Sequence, residues 1–443
     1  MPTVRLAVTG LANAGKTIFI TQLVSHLEHF KRSRFDLGTG RSITDVKQFA
    51  IARRGIKEFP YETARRHLLG RDPDWPPATR DVAGIGVEFT LVDEYAWMTR
   101  RNYSLEIYDF PGELLADLNL PDQTFDEWSL ATLRWLEDPT SPAHAGAQPY
   151  FELLRTLRFD TDPALLVKVY HDCLEAAVRS GARTVSPAGW IYTRLGGSFS
   201  VPIGFAPLPA GAAPELRRYF QHPYRAYIQS LEPLAAVFRE CAHHIILVDV
   251  LEILRDGQPR YIERKQALQG LVEFYKRSHG RLSRWARDAA SWAGLPITPG
   301  RIRLASAVIA ATKADAVLED DRGRLAGLLQ EMLESGFLAL DCKLDFRACA
   351  AYDATRRETD GRRWVIVGRV PTAPEQTLPR EVARVPESWP THPWDGSEYR
   401  SFRNHLPPIP ETAVREDATF PHINLDEVFA EVLGLRGLAG SSL

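Results

Sequence analysis

The chain has 443 residues, of which 44% are apolar and 25% are charged, a composition typical of globular proteins with two or three domains. Its 54 basic and 56 acidic residues nearly cancel to a net charge of -2, which argues against a nucleic-acid-binding protein. The sequence lacks a signal peptide and an apolar run of about 18 residues, and its four scattered cysteines form no C-x-x-C pair; together these features predict a cytoplasmic protein with reduced thiols.

The N-terminal segment predicts a strand, a loop and a helix in immediate succession. Residues Val4–Thr9 form a short apolar run that indicates a buried strand, and Ile18–Phe30 carries apolar residues at helical spacing. Between them, GLANAGKT at Gly10–Thr17 fits the phosphate-binding pattern G-x-x-x-x-G-K-[ST]. A loop between a buried strand and a helix is the context that a P-loop requires.

Each residue type in this loop has a chemical role in binding a nucleoside triphosphate. The glycines allow successive backbone N–H groups to turn toward the phosphates, at the positive end of the following helix. Lys16 supplies a positive charge, and the hydroxyl of Thr17 is a hard-oxygen ligand for Mg²⁺. The predicted phosphate-binding residues are Asn13, Ala14, Gly15, Lys16, Thr17 and Ile18.

A second motif follows a predicted pair of strands. Residues Val87–Val92 and Leu105–Tyr108 alternate apolar and polar side chains, as in an antiparallel pair. The second strand ends in DFPGE, in which Asp109 and Gly112 fit the pattern D-x-x-G. We predict that Asp109 binds Mg²⁺, that the N–H of Gly112 contacts the γ-phosphate, and that Glu113 is a catalytic residue.

A third motif predicts which base is bound. The apolar run Leu304–Ala311 indicates a buried strand, and TKAD at Thr312–Asp315 fits the guanine-recognition pattern [NT]-K-x-D. The carboxylate of Asp315 can accept hydrogen bonds from guanine N1–H and N2–H₂, while the stem of Lys313 lies along the base. Adenine offers no matching pair of donors, so the motif favours GTP and GDP over adenine nucleotides.

Two further strands complete the predicted sheet. Phe346–Cys349 leads into Ala350, whose N–H we predict to contact guanine O6, and Ile245–Val250 lies between the second and third motifs. Buried strands separated by helical segments predict an α/β fold with a mostly parallel sheet.

The long stretch after D-x-x-G is predicted to be mainly helical. Helical periodicity is present at Tyr150–Phe159, Pro163–Ser180 and Pro214–Cys241. We therefore predict a G domain formed by residues 1–113 and 243–443, interrupted by a helical insertion at 114–242. Arg183 and Arg194 are candidates for an arginine that the insertion presents to the nucleotide, although most surface arginines have no such role.

The first helix and the strand near Ile85 are about fifty residues apart, and in a G protein this interval carries switch I. We predict Thr79 as its Mg²⁺ ligand and catalytic threonine, with Thr44 as the alternative; either can instead be a turn or cap residue. The basic segment 276–287 either contacts an anionic partner or forms a solvated helix face.

Longer strings resemble the YcjX-like family of bacterial P-loop GTPases. They extend over nearly the whole chain: GLANAGKT at 10–17, WPPAT at 75–79, IYDFPGELL at 107–115, FAPLP at 205–209, TKAD at 312–315 and PHINLDEV at 421–428. The resemblance implies a Ras-like core with a helical insertion, GTP or GDP and Mg²⁺ as ligands, and a role in bacterial stress or envelope conditions. It also implies a protein partner, for which a membrane protein is one candidate, and a cytoplasmic location that can include the surface of the inner membrane.

Two positions depart from the Ras-like pattern. Glu113 stands where many small GTPases carry a water-orienting glutamine, and an ionised carboxylate there repels the γ-phosphate. Ala12 and Asn13 replace glycines, and their side chains would crowd an arginine from a partner. We therefore predict slow hydrolysis of GTP to GDP and phosphate. The alternatives are a P-loop kinase for a small molecule and a GTP-dependent interaction module with negligible turnover.

Overall fold

The computed structural model describes residues 3–435 except for 12, 39, 78–80, 95–98, 159–160, 195–201, 280–303, 338–341, 361–362 and 410–418. The chain divides into two compact units. The first contains residues 1–110, 239–258 and 278–443, and the second contains 111–238 and 259–277. One boundary falls between Phe110 and Pro111, inside the D-x-x-G motif, so that Asp109 belongs to the first unit and Gly112 to the second.

The first unit is built on a central sheet. Its strands in chain order are β1 Thr3–Gly10, β2 Arg41–Phe49, β3 Lys57–Glu58, β4 Ala83–Asp93, β5 Thr99–Asp109, β6 His243–Val248, β7 Ser306–Ala311 and β8 Lys343–Ala348. The spatial order is β2-β4-β5-β1-β6-β7-β8, with β3 beside β4. Strands β5, β1, β6, β7 and β8 are parallel, whereas β4 is antiparallel to both β5 and β2 and parallel to β3. The predicted α/β fold with a mostly parallel sheet is confirmed.

The helices alternate with these strands and then form most of the second unit. In chain order they are α1 Lys16–Glu28, α2 Tyr61–Leu69, α3 Phe125–Glu137, α4 His144–Arg155, α5 Pro163–Arg179, α6 Ala188–Arg194, α7 Pro214–Glu240, α8 Val250–Asp256, α9 Gln258–His279, α10 Arg322–Phe337 and α11 Leu425–Val432. In the first unit, Leu23 of α1 and Phe429 of α11 pack with Val8 and Leu247 of the sheet in one apolar core. Burial of these apolar side chains is the main stabilising contribution to this layer.

A second, three-stranded antiparallel sheet follows β8 in the first unit. Its strands are β9 Thr355–Asp360, β10 Arg363–Val370 and β11 Ala373–Arg380, with β10 in the centre. Sequence periodicity did not predict this sheet, nor did it predict β2 and β3. Polar side chains predominate in β9 and β11, so the alternation that identifies a half-buried strand is weak there.

The second unit is helical, as predicted for the insertion. Thr124 and Glu127 form a reciprocal capping box at the start of α3, and Asp162 caps α5 with a proline in its first position. The predicted helices at 163–180 and 214–241 are confirmed to within one residue at each end. The core is rich in aromatic rings, which include Trp128, Tyr150, Tyr170, Phe205, Tyr224 and Tyr227. In the part of the chain that the structure describes, every helix is too short or too polar to cross a lipid bilayer.

Candidate functional site

The P-loop joins β1 to α1, and two glycines determine its path. Gly10 has a φ of 150°, and a Cβ at this position would lie only 2.2 Å from the carbonyl oxygen of Leu247 on the neighbouring strand β6. Gly15 has a φ of 86°, in the left-handed region, and it immediately precedes the first residue of α1. The helix therefore begins directly at the loop, so its positive N-terminal end lies where anion binding requires it.

The side chain of Lys16 lies along this loop. Its Nζ donates a hydrogen bond of 2.9 Å to the carbonyl oxygen of Gly10 and is 3.4 Å from that of Leu11. The N–H of Ala14 donates to the same Leu11 carbonyl at 3.2 Å. Asn13 has a φ of 65°, a conformation that asparagine adopts more readily than most residues. The ammonium thus lies over the backbone that is predicted to bind phosphates.

The predicted Mg²⁺ ligands lie at the ends of the elements that meet the loop. Asp109 is the last residue of β5 and pairs with Val8 of β1, two residues before Gly10. Thr17 is the second residue of α1, and both side chains are buried. A hydroxyl and a carboxylate are hard oxygen donors of the kind that Mg²⁺ prefers, so this pair fits the ion chemically.

Strand register separates the two switch I candidates. Thr44 lies in β2 opposite Thr90 of β4, which in turn lies opposite Asn102 of β5. Asn102 precedes Asp109 by seven residues on the same strand, or roughly 23 Å at about 3.3 Å per residue. Thr44 is therefore at the end of the sheet remote from the P-loop, which argues against Thr44 as the switch I threonine.

Thr79 lies outside the described residues, but the structure describes the strand that follows it and the contacts of Trp75 before it. The strand that follows begins at Ala83, which pairs with Asp109, so the chain enters β4 at the P-loop end of the sheet. On the other side, the indole Nε1 of Trp75 donates 2.9 Å to a backbone carbonyl of the C-terminal loop. The Trp75 ring also lies edge-on to Tyr352, with 5.6 Å between centroids.

Gly112 and Glu113 lie at the start of the second unit, directly after Pro111. They start a 3-10 helix, Gly112–Asp117, in which Gly112 is buried and Glu113 is partly exposed. At its far end, the carboxylate of Asp117 accepts hydrogen bonds from the hydroxyl of Tyr227 and the N–H of Ala188. Burial raises the pKa of Asp117 to about 7, although these hydrogen bonds act in the opposite direction.

The TKAD motif follows β7 directly. The N–H of Thr312 donates 2.9 Å to the carbonyl of Val248 at the end of β6, which places the motif at the same edge of the sheet as the P-loop. Lys313 has a φ of 62°, in the left-handed region. Its Nζ lies 2.5 Å from Oδ2 of Asp249, a residue that follows β6.

Asp315 is buried beside the loop that follows β8. One of its carboxylate oxygens accepts a 3.2 Å hydrogen bond from the N–H of Ala354. Burial, together with the nearby negative charge of Asp353, raises the pKa of Asp315 to about 7. A buried carboxylate with so few donors is suited to accept hydrogen bonds from a ligand.

The N–H of Ala350, which is predicted to contact guanine, already has a backbone hydrogen-bond partner. Its N–H donates 3.0 Å to the carbonyl of Ile423, and its own carbonyl accepts a 2.8 Å bond from the Ile423 N–H. Contact between the Ala350 N–H and guanine O6 would require this pair to open. The preceding carbonyl of Cys349 accepts a 3.2 Å bond from the N–H of Ala314, which joins this loop to TKAD.

Comparison with known proteins agrees with the motifs. The model of the YcjX-like family, DUF463, matches residues 4–436. The chain belongs to the YcjX-like family. Two proteins named Ras-like GTPase YcjX, from Shewanella oneidensis and Escherichia coli K12, are each 25% identical to it; the alignments cover 97% of this chain and 94% and 95% of those proteins. The likeness of this YcjX-like chain to its relatives thus extends well beyond the nucleotide motifs.

The two arginine candidates of this YcjX-like chain differ in their surroundings. Arg194 pairs with Glu175 at 2.5 Å and lies 4.7 Å from the ring centroid of Trp190, all within the second unit. The backbone N–H of Arg183 donates to Glu263, and its side chain is exposed. Both assignments stay predictions. Ala12 and most of the basic segment 276–287 lie outside the described residues.

Sequence patterns did not identify two acids near the motifs: Asp249, which contacts Lys313, and Asp117, which lies five residues after Gly112. Asp249 precedes a helix and follows a buried strand, a helix-capping position that the sequence IILVDV could have indicated. Asp117 carries no such signal, because its hydrogen-bond partners come from segments about 70 and 110 residues further along the chain.

Proposed function

We propose that this protein binds GTP and GDP with Mg²⁺ and hydrolyses GTP slowly to GDP and phosphate. The observation that supports this most strongly is the position of the motifs in the first unit. Gly10 ends β1, Asp109 ends β5 and Thr312 follows β7, all at the carboxyl edge of the parallel strands. Open α/β sheets bind their ligands at this edge. The name Ras-like GTPase, carried by both relatives, supports the same activity.

In this proposal the P-loop binds the phosphates. The N–H groups of residues 13–18 surround the β-phosphate, and Lys16 moves from the Gly10 carbonyl to the β- and γ-phosphates. Thr17, Asp109 and Thr79 are the residues that would hold Mg²⁺. When bound, the ion neutralises negative charge that develops on the phosphate oxygens.

Guanine is recognised beside the end of β7. Ionised Asp315 accepts hydrogen bonds from N1–H and N2–H₂, and the apolar stem of Lys313 covers one face of the ring. Thr312 supports the loop through its hydrogen bond to Val248. The contact to O6 comes from the loop at Ala350, once the N–H of that residue leaves the Ile423 carbonyl.

Hydrolysis needs an ordered water on the γ-phosphate. Gly112 contacts the γ-phosphate through its N–H, and Glu113 orients or deprotonates the attacking water. A carboxylate at this position opposes a phosphate of like charge, so turnover is slow. The same carboxylate favours the second candidate function, a GTP-dependent interaction module with negligible turnover. In either case the output is a change in the switch segments that a protein partner detects, in a bacterial stress or envelope-related process.

The test is equilibrium binding of a fluorescent GDP analogue in the presence of Mg²⁺, with GTP, GDP, ATP, and xanthosine diphosphate (XDP) as competitors. We expect GTP and GDP to compete and ATP not to compete. Asp315→Asn replaces one acceptor oxygen by an amide donor. The variant should therefore bind GDP more weakly and XDP, whose base carries an oxygen at C2, more tightly. Equal competition by ATP would contradict guanine recognition and favour the small-molecule kinase. Single-turnover hydrolysis no faster than in solution would select the interaction module.

A further inference from the structure

Asp249 joins two parts of the first unit through one carboxylate. Its Oδ1 accepts a 2.9 Å hydrogen bond from the N–H of Glu252 and so caps the N-terminus of α8. Its Oδ2 lies 2.5 Å from Nζ of Lys313. The Asp249 side chain is only 5% exposed, whereas that of Lys313 is 21% exposed, so the acid forms the fixed, buried end of the pair.

Both the backbone and the side chain of Lys313 are constrained. Its backbone has a φ of 62°, in the left-handed region that is unfavourable for a residue with a Cβ. The next residue, Ala314, is fixed to the carbonyl of Cys349 by a 3.2 Å hydrogen bond. A lysine side chain that is mobile in solution loses rotamer entropy when it is ordered against a ligand. The ion pair orders that side chain before any ligand arrives, which lowers the entropic cost of binding.

We propose that Asp249 is a positioning residue for guanine recognition. By holding the Lys313 ammonium at the end of β6, Asp249 keeps the lysine stem extended beside Asp315, where it forms one wall of the base pocket. This inference depends on the proposed GTP/GDP binding. It adds that affinity for the base, as distinct from affinity for the phosphates, depends on a buried acid outside the TKAD motif.

Asparagine at position 249 separates this role from helix capping. Asparagine caps helices as well as aspartate does, so α8 keeps its N-terminal hydrogen bond. It has only one acceptor oxygen and no charge, so it cannot cap α8 and also hold the ammonium as aspartate does. Asp162→Asn is the matched control, because Asp162 also caps a helix, through the N–H of Ala164, and is exposed in the second unit.

The experiment measures the Kd for a fluorescent GDP analogue with Mg²⁺ and its competition by tripolyphosphate, which lacks a base. We expect Asp249→Asn to weaken binding of the GDP analogue about tenfold, equivalent to about 1.4 kcal/mol. The affinity for tripolyphosphate, measured by competition, should change less than twofold. Lys313→Met keeps the apolar stem but removes the charge. Because Asp249 acts through that charge, Asp249→Asn should cause no further weakening in the Lys313→Met background.

Two outcomes would overturn the inference: GDP binding by Asp249→Asn within twofold of wild type, or equal weakening of the GDP analogue and tripolyphosphate. Failure of the wild-type protein to bind the GDP analogue would instead refute the proposed function. If Asp249→Asn does not fold, Lys313→Arg, which keeps the ion pair, is compared with Lys313→Met. The inference then requires at least fivefold tighter GDP binding by the arginine variant.

Discussion

The hydroxyl of Tyr227 donates a hydrogen bond to the carboxylate of Asp117, and both side chains are completely buried. The hydroxyl of Ser186 and the N–H of Ala188 donate to the same carboxylate. Asp117 lies five residues after Gly112, in the 3-10 helix that begins at that glycine. The segment that follows D-x-x-G is therefore fixed in the core of the second unit by one acid. A movement of Gly112 is either absorbed within those five residues or passed to α6 and α7.

Replacement of Asp117 by alanine should destabilise the second unit by about 3–5 kcal/mol, because it leaves several buried donors without an acceptor. Urea unfolding followed by tryptophan fluorescence measures this loss, since Trp128 lies in the same core. The control is Asp126→Ala, which removes a 52% exposed acid paired with Arg217 and should cost less than about 1 kcal/mol. Equal effects of the two substitutions would contradict a structural role for the buried acid.

The contribution of Asp117 and Asp315 to stability should fall as the pH rises from about 4 to about 7, while the lowered pKa values of buried histidines such as His26 and His405 act in the opposite direction. The pKa values of Asp117 and Asp315 are raised from 3.8 to about 7, mainly by burial. Between about pH 4 and about pH 7 these two aspartates keep their protons in the folded protein but lose them in the unfolded chain. Their contribution to the free energy of unfolding is therefore complete below about pH 4 and lost by about pH 7. Thermal unfolding between pH 4.5 and 7.5 should show the unfolding midpoint of Asp117→Asn rising relative to that of wild type as the pH increases. An unchanged profile would show that Asp117 does not titrate in this range.

GDP binding should strengthen as the pH rises through the pKa of Asp315. Guanine donates to the ionised carboxylate, and a pKa of about 7 leaves roughly one-tenth of the protein ionised at pH 6. The Kd for GDP with saturating Mg²⁺ should therefore decrease about fivefold to tenfold between pH 6 and pH 8. The phosphates of GDP also ionise in this range, and the pH dependence of GDP binding by Asp315→Asn measures that effect without the carboxyl group. Parallel pH profiles for the two proteins would argue against Asp315 as the base-binding group.

Gly10→Ala should abolish nucleotide binding or prevent folding. The added Cβ would lie 2.2 Å from the Leu247 carbonyl oxygen, and relief would require β1 and β6 to separate. Gly327→Ala is the matched control, because this exposed glycine lies within α10 and its added Cβ meets no atom within 4 Å. That substitution should raise the unfolding free energy by about 0.5–1 kcal/mol. Full GDP binding by Gly10→Ala would show that the loop does not need this backbone path.

Glu113→Ala should lower the single-turnover rate of GTP hydrolysis at least tenfold without weakening GTP binding. A group that orients or deprotonates water acts in the transition state, and general bases typically contribute about 10²–10⁴-fold. Glu113→Gln should retain part of the rate, because the amide can still orient water. A rate that does not respond to either substitution would assign water positioning to another residue.

The P-loop, the antiparallel β4–β5 pair and the longer insertion helices were predictable because their signals are local. GLANAGKT needs only its neighbours in the chain to be recognised, and the period of apolar residues identifies α5 and α7. Ala350 shows the limit of such reasoning. A small residue after the last strand indicated a free N–H, but the partner of that N–H is Ile423, more than seventy residues away.

The sequence by itself determined the nucleotide motifs, their order and the α/β class, since these depend on residue type and spacing within short segments. Only the tertiary structure decided which residues meet across the sheet. Strand register placed Thr44 at the end remote from the P-loop, and strand order brought Asp249 after β6 to Lys313 after β7. It also brought Asp117 to Tyr227 in the helical core. Such contacts form because burial of apolar surface is nonlocal, and the acids enclosed by it must then find their partners wherever the packed chain supplies them.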